Sequence, residues 1–398
     1  MSKPMLLTRE EEAMLSGNEG FATQKCMQIL VALGGIYGAE RLVKVSSVQV
    51  SGVSYKNLGD AGIEFLDELA KDGRARVRTT LNPAGMSLTD WKKQGIGRAF
   101  AEKQLKVIDA YRRLGAEVSC TCTPYLAGNE PRFAQHIAWG ESSAVVYANS
   151  VIGARTNREG GPSALAASLT GRTPLYGYHL NENRRPTWKV QVGVPLESPE
   201  DFSAMGYFVG RTVKDGVPFF AGVGSASLED LKTLSAALAS SGGVAMFHME
   251  GITPEAELGA DGADTIQFTS GDLQETKALL NDGGVVDFVS VGCPHCSLGE
   301  VRTIAGLLRG RTVTREFWVC CSREVKRLSD ESGYTRLIES SGAKFATDTC
   351  MVVAPIDELG YRVVATNSAK ACHYLRNGGA RVRFMTLEEC VAEATRTA

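Results

Sequence analysis

The chain alternates short apolar runs with amphipathic segments, and the alternation is most regular in its carboxyl-terminal part. The apolar runs there predict five strands, at 285–291, 316–319, 344–347, 361–365 and 381–384. Ser297 with Glu300, and Thr386 with Glu389, are capping boxes that open two of the intervening helices. Strands that alternate with helices predict an α/β fold with largely parallel sheets and right-handed crossovers.

The amino-terminal part shows the same two periods less regularly. A helix opens at Thr8, and the pattern predicts further helices and strands at 21–37, 44–50, 61–70, 76–80 and 99–114. An apolar run at 118–123 predicts a strand that ends at Cys122. The polar segment 141–163 is typical of a loop that carries a site. We therefore expect lobes with substrate loops and Cys122 in residues 1–280, and an α/β lobe with Cys293 and Cys350 in 281–398.

Composition and charge narrow the class of protein. The 398 residues are 43% hydrophobic and 22% charged, with a net charge of -2, so neither nucleic acid nor a membrane is expected as a partner. The amino terminus shows no apolar leader, and no run of about 18 apolar residues predicts a membrane span. A cytoplasmic location is the expectation. Ten cysteines in a reducing compartment favour free thiols, metal ligands or catalytic groups over disulfides.

Three cysteines lie at or just beyond the ends of apolar runs: Cys122, Cys293 and Cys350. Carboxyl ends of strands form the rim where α/β proteins bind ligands, so three thiolates there can hold an iron–sulfur cluster that keeps one iron free for substrate. Other interpretations stay open at this point. Cys293 and Cys296 form a CxxC pair that also suits a redox dithiol or half a zinc site, and Cys120 competes with Cys122. Any of these cysteines can also be a buried structural thiol.

Polar turns follow several of the predicted strands. Gly52-Val53-Ser54 and Asn82-Pro83 can offer backbone N–H groups and an amide to a carboxylate or phosphate, although many such turns are only turns. Arg155 and Arg158 lie among glycines and suit a small anionic substrate, with a solvated loop as the alternative. Residues 366–370 place small polar groups at a helix amino terminus, another geometry that favours anions.

At these motifs the chain resembles the aconitase X family, large-subunit type. The matching strings are VSGVSY at 50–55, TLNPAG at 80–85, CTCTPY at 120–125, ESSA at 141–144, GARTNREGGPS at 153–163, GCPH at 292–295 and DTC at 348–350. The likeness extends over nearly the whole chain, and the string at 153–163 is the most specific. It implies an aconitase-like, multi-lobed α/β/α fold without a separate swivel domain.

The resemblance also implies a function, an iron–sulfur hydro-lyase with a [4Fe–4S] cluster on three cysteines. Its cluster ligands correspond to Cys122, Cys293 and Cys350. Its substrate contacts correspond to Gly52, Val53, Ser54, Asn82, Pro83, Glu141 and Ser142. It implies a heterodimer with a small swivelling subunit, whose serine would act as the base, so that no catalytic base is assigned in this chain.

Two substrates compete within this resemblance. Some members dehydrate (R)-5-phosphomevalonate to trans-anhydromevalonate 5-phosphate in a modified mevalonate pathway of isoprenoid synthesis, and others dehydrate cis-3-hydroxy-L-proline. The strings around Gly52 and Asn82 look closer to the phosphomevalonate type, which is the expected activity. A non-catalytic scaffold and a thiol redox protein that uses Cys293 and Cys296 are the alternatives from other classes.

Overall fold

The computed structural model describes residues 5–397 as helices around largely parallel sheets. The helices are α1 (Arg9–Leu15), α2 (Phe21–Tyr37), α3 (Tyr55–Leu69), α4 (Arg98–Arg113), α5 (Ser142–Tyr147), α6 (Gly161–Thr170), α7 (Pro199–Val213), α8 (Leu228–Gly242), α9 (Ser270–Leu279), α10 (Leu298–Leu308), α11 (Arg323–Glu331), α12 (Tyr334–Ser340), α13 (Ala369–Asn377) and α14 (Leu387–Ala394). No helix within these residues is both long and apolar enough to cross a membrane.

The strands are short, and most are buried. They are β1 (Leu42–Lys44), β2 (Ser47–Val50), β3 (Arg78–Leu81), β4 (Ala138–Trp139), β5 (Arg172–Pro174), β6 (Trp188–Val192), β7 (Pro218–Ala221), β8 (His248–Met249), β9 (Asp264–Phe268), β10 (Phe288–Cys296), β11 (Glu316–Cys321), β12 (Lys344–Thr347), β13 (Val363–Thr366) and β14 (Arg381–Phe384).

Three parallel sheets and one antiparallel pair organise these strands. The carboxyl-terminal sheet has the order β12-β11-β10-β13-β14, the middle sheet β8-β7-β6-β9, and the amino-terminal sheet β3-β2-β4. The strands β1 and β5 pair antiparallel beside the amino-terminal sheet. The prediction of an α/β fold with largely parallel sheets is confirmed.

The central strand β10 is buried along its whole length, which explains its continuous apolar run. Its side chains alternate between two cores: Phe288 packs in the large core shared with the middle sheet, and Val289 packs under α10 and α14. Cys293 belongs to the first of these cores. The strand therefore places Cys293 on the face of the carboxyl-terminal sheet that packs in the large core.

The predicted capping boxes form in the structure. The Ser297 side chain accepts the backbone N–H of Glu300 while the Glu300 carboxylate accepts the N–H of Ser297, and Thr386 with Glu389 does the same at α14. Each pair satisfies two N–H groups that a helix end leaves without a partner inside the helix. Both helices therefore begin where the sequence predicts.

The predicted strand that ends at Cys122 is wrong. Cys120 has a left-handed φ of +41°, which breaks an extended run. The Thr121 hydroxyl accepts the backbone N–H of Thr123 at 3.2 Å, a local bond that competes with strand pairing. Cys122 consequently lies in an irregular loop.

The expectation of a loop over 141–163 also needs correction. This segment contains α5, a π-helical continuation at Ala148–Ile152, and the start of α6. Ala144, Val145 and Val146 are fully buried in the large core, so small residues here reflect close packing. Residues 153–160 form the irregular connection between the π-helical turn and α6.

Candidate functional site

Two loops and one strand bring Cys122, Cys293 and Cys350 together in the interior. Cys122 lies in the loop between α4 and β4, Cys293 lies in β10 where its register with β11 shifts, and Cys350 lies three residues after β12. All three side chains are buried. The amino-terminal and carboxyl-terminal parts of the chain therefore contribute to one site.

The three sulfurs lie near enough to affect one another's pKa. The neighbouring Cys350 thiol lowers the pKa of Cys293, while Cys293 and burial raise the pKa of Cys350, to which Cys320 and Cys122 also contribute. Burial, followed by the charge of Glu141, raises the pKa of Cys122. The Cys122 sulfur accepts the backbone N–H of His295 at 3.1 Å.

The two rival cysteines point to other surroundings. Cys120 lies by Asp348 and Arg323, and Cys296 lies by Glu300, Lys232 and other thiols of β11. Burial is the main cause that raises the pKa of both rival thiols. The structure therefore separates Cys120 and Cys296 from the group of three, and it gives no dithiol contact between Cys293 and Cys296.

A buried ion pair lies beside the three sulfurs. The ammonium of Lys370, in the first turn of α13, contacts the carboxylate of Glu141, and Glu141 also accepts bonds from Asn82 at 2.7 Å and from Ser143 at 2.8 Å. Burial disfavours the charged form of Glu141, but Lys370 and these two bonds outweigh it and hold the pKa of the carboxyl below its usual value. For Lys370, Glu141 and Cys293 outweigh burial and raise the pKa. Both groups are therefore charged near neutral pH.

Two polar turns are tied to each other by one buried side chain, Gln104 of α4. Its carbonyl oxygen accepts the N–H groups of Tyr55 and Gly85, each at 2.9 Å, and its amide donates to Val53 O at 3.0 Å. Gly52 has a φ of +74°, a conformation that glycine adopts readily. The turns 52–54 and 82–85 are thus held in fixed relation at the start of α3.

The turn at 82–85 is also fixed to the loop that carries Cys350. Ala84 N–H donates to Asp348 O at 2.8 Å, and Leu88 N–H donates to the Asp348 carboxylate at 3.2 Å. Arg323 pairs with the same buried carboxylate at 2.6 Å. Burial nevertheless raises the pKa of Asp348. These bonds connect a predicted substrate turn directly to a predicted ligand loop.

Some buried polar atoms of the site have no hydrogen-bond partner among residues 5–397. They include Asn82 Oδ1 and the hydroxyls of Thr349 and Thr366. Buried polar atoms are almost always paired, so unpaired ones at a site indicate a missing ligand or water. Asn82 is the clearest case, because its other amide atom is already bound to Glu141.

The donor set suits a cluster better than a single ion. No group of three or more His, Cys, Asp or Glu side chains within the described part of the chain is arranged to hold one metal ion. A single ion requires its ligands to converge on one point, whereas an iron–sulfur cluster accepts its cysteines on separate iron atoms. Three buried thiols on separate segments of the chain, with a backbone N–H on one sulfur, fit the second arrangement.

Comparison with known families covers nearly the whole chain. Models of the aconitase X first, second and third domains match residues 4–182, 186–278 and 286–396. The chain belongs to the aconitase X family. The resemblance seen in the sequence strings is thereby confirmed. The expected boundary near residue 280 lies between the second and third matched regions and stays a prediction.

Named relatives in the aconitase X family are dehydratases, a class of hydro-lyase. The phosphomevalonate dehydratase large subunit of Methanocaldococcus jannaschii is 49% identical, covering 93% of this chain and 95% of that protein. The corresponding large subunit of Thermococcus kodakarensis is 47% identical, covering 98% and 100%. The cis-3-hydroxy-L-proline dehydratase of Hypocrea jecorina is 35% identical, covering 98% of this chain and 68% of that protein.

A solved aconitase X structure has the same fold. The holo-form of Thermococcus kodakaraensis aconitase X superposes with a TM-score of 0.93 at 47% identity, covering 98% of this chain and 100% of that one. The aconitase-like α/β fold implied by the sequence strings is therefore confirmed for this chain.

Most of the residues singled out by sequence are joined by the contacts described above, whereas Arg155 and Arg158 bond elsewhere. Glu141 is the N-cap of α5, and Ser142 begins that helix beside it. Arg155 donates to the backbone oxygen of His179, and burial beside Arg184 lowers its pKa. Arg158 is exposed and donates to Gly243 O. The structure does not bring either arginine to the cysteines.

Sequence reasoning missed the importance of Lys370. It lies in the segment 366–370, which was expected to bind anions through a helix amino terminus, but the lysine itself was not singled out. A cation in the first turn of a helix interacts unfavourably with the helix dipole, so another interaction must stabilise it there. That interaction is with Glu141, which lies 229 residues away in sequence.

Proposed function

We propose that this chain is the large subunit of a phosphomevalonate dehydratase, which removes water from (R)-5-phosphomevalonate to give trans-anhydromevalonate 5-phosphate in a modified mevalonate pathway. One observation carries the proposal. Four relatives of that name are 45–50% identical over 93% or more of the chain, whereas the cis-3-hydroxy-L-proline dehydratases are 34–35% identical.

We assign a [4Fe–4S] cluster to Cys122, Cys293 and Cys350. Their mutual contacts and burial support this ligand set, as does the separation of Cys120 and Cys296 from it. When bound, such a cluster supplies a Lewis-acidic iron that can polarise the leaving hydroxyl of a substrate. All ten cysteines are free thiols, which fits a reducing compartment such as the cytoplasm.

The remaining site residues have roles that follow from their contacts. Lys370 and Asn82 lie on opposite oxygens of Glu141, so that the carboxylate fixes both side chains. The free Asn82 oxygen can accept a substrate hydroxyl, and Lys370 can stabilise negative charge that develops nearby. The turn at 52–54, at the amino end of α3, suits an anionic group such as the substrate phosphate.

We place the catalytic base on a small partner subunit. The relatives are named large subunits, which implies a partner of this kind. In this chain Glu141 is ion-paired with Lys370, and Asp348 is ion-paired with Arg323, so neither acid is free to take a proton. The relative from Hypocrea jecorina extends beyond the match by roughly a third of its length, enough for a fused partner domain.

A paired substrate assay tests the proposal. The chain is purified without oxygen, combined with its small subunit, and given 5-phosphomevalonate and cis-3-hydroxy-L-proline in parallel. We expect water loss from 5-phosphomevalonate at a kcat/KM at least about 10³-fold higher, because a site built for a phosphate rejects an analogue that leaves its polar groups unpaired. Faster turnover of the hydroxyproline would overturn the substrate assignment, and activity without iron would overturn the cluster.

A further inference from the structure

One buried residue, His295, links the strand that carries Cys293 to the loops that carry Cys122 and Cys350. It lies two residues after Cys293 on the same strand. Its backbone N–H donates to the Cys122 sulfur at 3.1 Å, and its ring Nε2 lies 3.0 Å from the backbone oxygen of Thr349, the residue before Cys350. The side chain is completely buried. No other part of its ring is free, because Nδ1 lies 3.0 Å from the hydroxyl of Thr121.

The partners of the ring determine how it bonds. A backbone oxygen can only accept, so Nε2 carries a hydrogen and donates it to Thr349 O. In the neutral ring Nδ1 then accepts a hydrogen from the Thr121 hydroxyl. The backbone oxygen of His295 is also engaged, since it accepts from the buried ammonium of Lys232 at 3.2 Å. The ring is therefore fixed in one orientation between the Cys122 loop and the Cys350 loop.

The two flanking loops have little regular structure of their own. The segment around Cys122 is not a strand, and Asp348 has a left-handed φ of +68° two residues before Cys350. Such loops hold their shape only through side-chain and backbone bonds to neighbours. His295 supplies these bonds from the rigid strand β10, whose position the carboxyl-terminal sheet fixes.

We propose that His295 is a positioning residue that holds Cys122, Cys293 and Cys350 at the spacing their cluster requires, already in the chain without metal. The proposal rests on the proposed function for the presence of the cluster. It adds that the ring does not touch the reacting groups but acts through the ligand loops. Outer partners of metal ligands are commonly worth about 10–100-fold in metal affinity or activity, which sets the size of the expected effect.

Three variants separate the contributions of the two hydrogen bonds that the His295 ring makes. His295→Leu removes both ring bonds but keeps the backbone N–H on Cys122. His295→Gln can still reach Thr349 O, whereas His295→Asn can reach only the Thr121 hydroxyl. His248→Leu is the matched control, because His248 is also completely buried and bonds through Nε2 to a backbone oxygen, that of Arg184, at 2.7 Å.

The measurement is the rate at which a chelator removes iron from the anaerobically reconstituted complex, with the electron paramagnetic resonance spectrum of the reduced cluster as a second readout. We expect His295→Leu to release iron about 10–100-fold faster than wild type, with a broadened spectrum. His248→Leu should stay within about twofold of wild type. The Asn variant should release iron faster than the Gln variant, because it loses the bond to Thr349 O and so frees the Cys350 loop.

The outcomes separate this inference from the proposed function. A loaded wild type together with a His295→Leu variant that holds iron equally well overturns the inference alone. A wild type that never binds a cluster overturns the proposed function and the inference with it. If His295→Leu does not fold, Thr121→Val carries the test, since it removes the hydroxyl that faces Nδ1, together with the bond that this hydroxyl accepts from the Thr123 N–H. That variant should release iron at least about fivefold faster, since one hydrogen bond alone is worth about that factor, and an unchanged rate overturns the inference.

Discussion

The buried pair of Glu141 and Lys370 predicts a large and unusual effect on stability. In Lys370→Met the carboxylate of Glu141 stays buried without its counter-charge. Breaking a buried pair in this way costs about 3–5 kcal/mol. Because Asn82 and Ser143 still donate to Glu141, we expect the lower end, about 3 kcal/mol.

A double-mutant cycle isolates the interaction. Glu141→Gln with Lys370→Met removes both charges, so the double variant should be less destabilised than the sum of the single ones by about 2–3 kcal/mol. Urea unfolding of the metal-free chain, followed by circular dichroism, measures all four proteins. Lys344→Met is the control, since Lys344 pairs with Glu316 at the surface and should cost less than about 1 kcal/mol.

The pH dependence of the free energy of unfolding provides a second check, because its direction follows from the pKa of Glu141. The pKa of Glu141 is lowered in the folded chain, so its contribution to stability is complete above its unfolded pKa and is lost as the pH falls through the folded value. Without Lys370, burial is less opposed and the carboxyl takes up a proton at higher pH. The loss of stability in Lys370→Met, relative to wild type, should therefore become smaller when the pH is lowered from 8 to 5. A loss of stability below about 1 kcal/mol at pH 8, or one that does not change with pH, would show that Lys370 does not stabilise the buried Glu141 carboxylate.

Three further predictions concern stability elsewhere. Gly292→Ala should lower the free energy of unfolding by at least about 2 kcal/mol, because φ is +93° and the new Cβ would meet a backbone oxygen of β11 at 2.2 Å. Its control, Gly306→Ala on the exposed side of α10, should raise that free energy by about 0.5–1 kcal/mol. Equal urea midpoints for the two variants would contradict this. Burial lowers the pKa of His179 to about 3, so the unfolded chain binds the extra proton between about pH 6.5 and 3 and stability falls there by about 1.4 kcal/mol per unit. His179→Asn should flatten that part of the stability–pH curve, and an unaltered slope would speak against it. Arg172→Met leaves the acidic first turn of α1 without its buried partner and should cost about 3 kcal/mol in thermal or urea unfolding, with a loss under about 1 kcal/mol as the contrary result.

Local signals in the sequence predicted the regular elements well. The capping boxes at Ser297 and Thr386 depend on residues only three positions apart, so they mark helix starts without knowledge of the fold. The pattern at 381–384 likewise gave the bounds of β14, Arg381–Phe384. Elements whose cause lies within one turn or one strand are predictable in this way.

Irregular segments around the site were less predictable because distant contacts set them. The run 118–123 is apolar enough for a strand, but Cys120 is left-handed and the loop is anchored through Gln49, which donates to Thr121 O at 2.7 Å. The partner of Lys370 lies far away in sequence, so only the unusual place of a lysine in a first helical turn pointed to it. For Arg155 and Arg158, charge and glycine content indicated a substrate loop; both side chains bond backbone oxygens, and their role in substrate binding stays a prediction.

The central claim is that Cys122, Cys293 and Cys350, and no other cysteines, hold an iron–sulfur cluster. The most direct measurement is iron and sulfide per chain after anaerobic reconstitution of five single cysteine-to-serine variants. Changing Cys122, Cys293 or Cys350 should each lower the iron content well below that of wild type. Cys120→Ser and Cys296→Ser, which are equally buried, should retain the wild-type content. Full iron in any of the first three variants, or loss of iron in Cys120→Ser or Cys296→Ser, would contradict this ligand assignment.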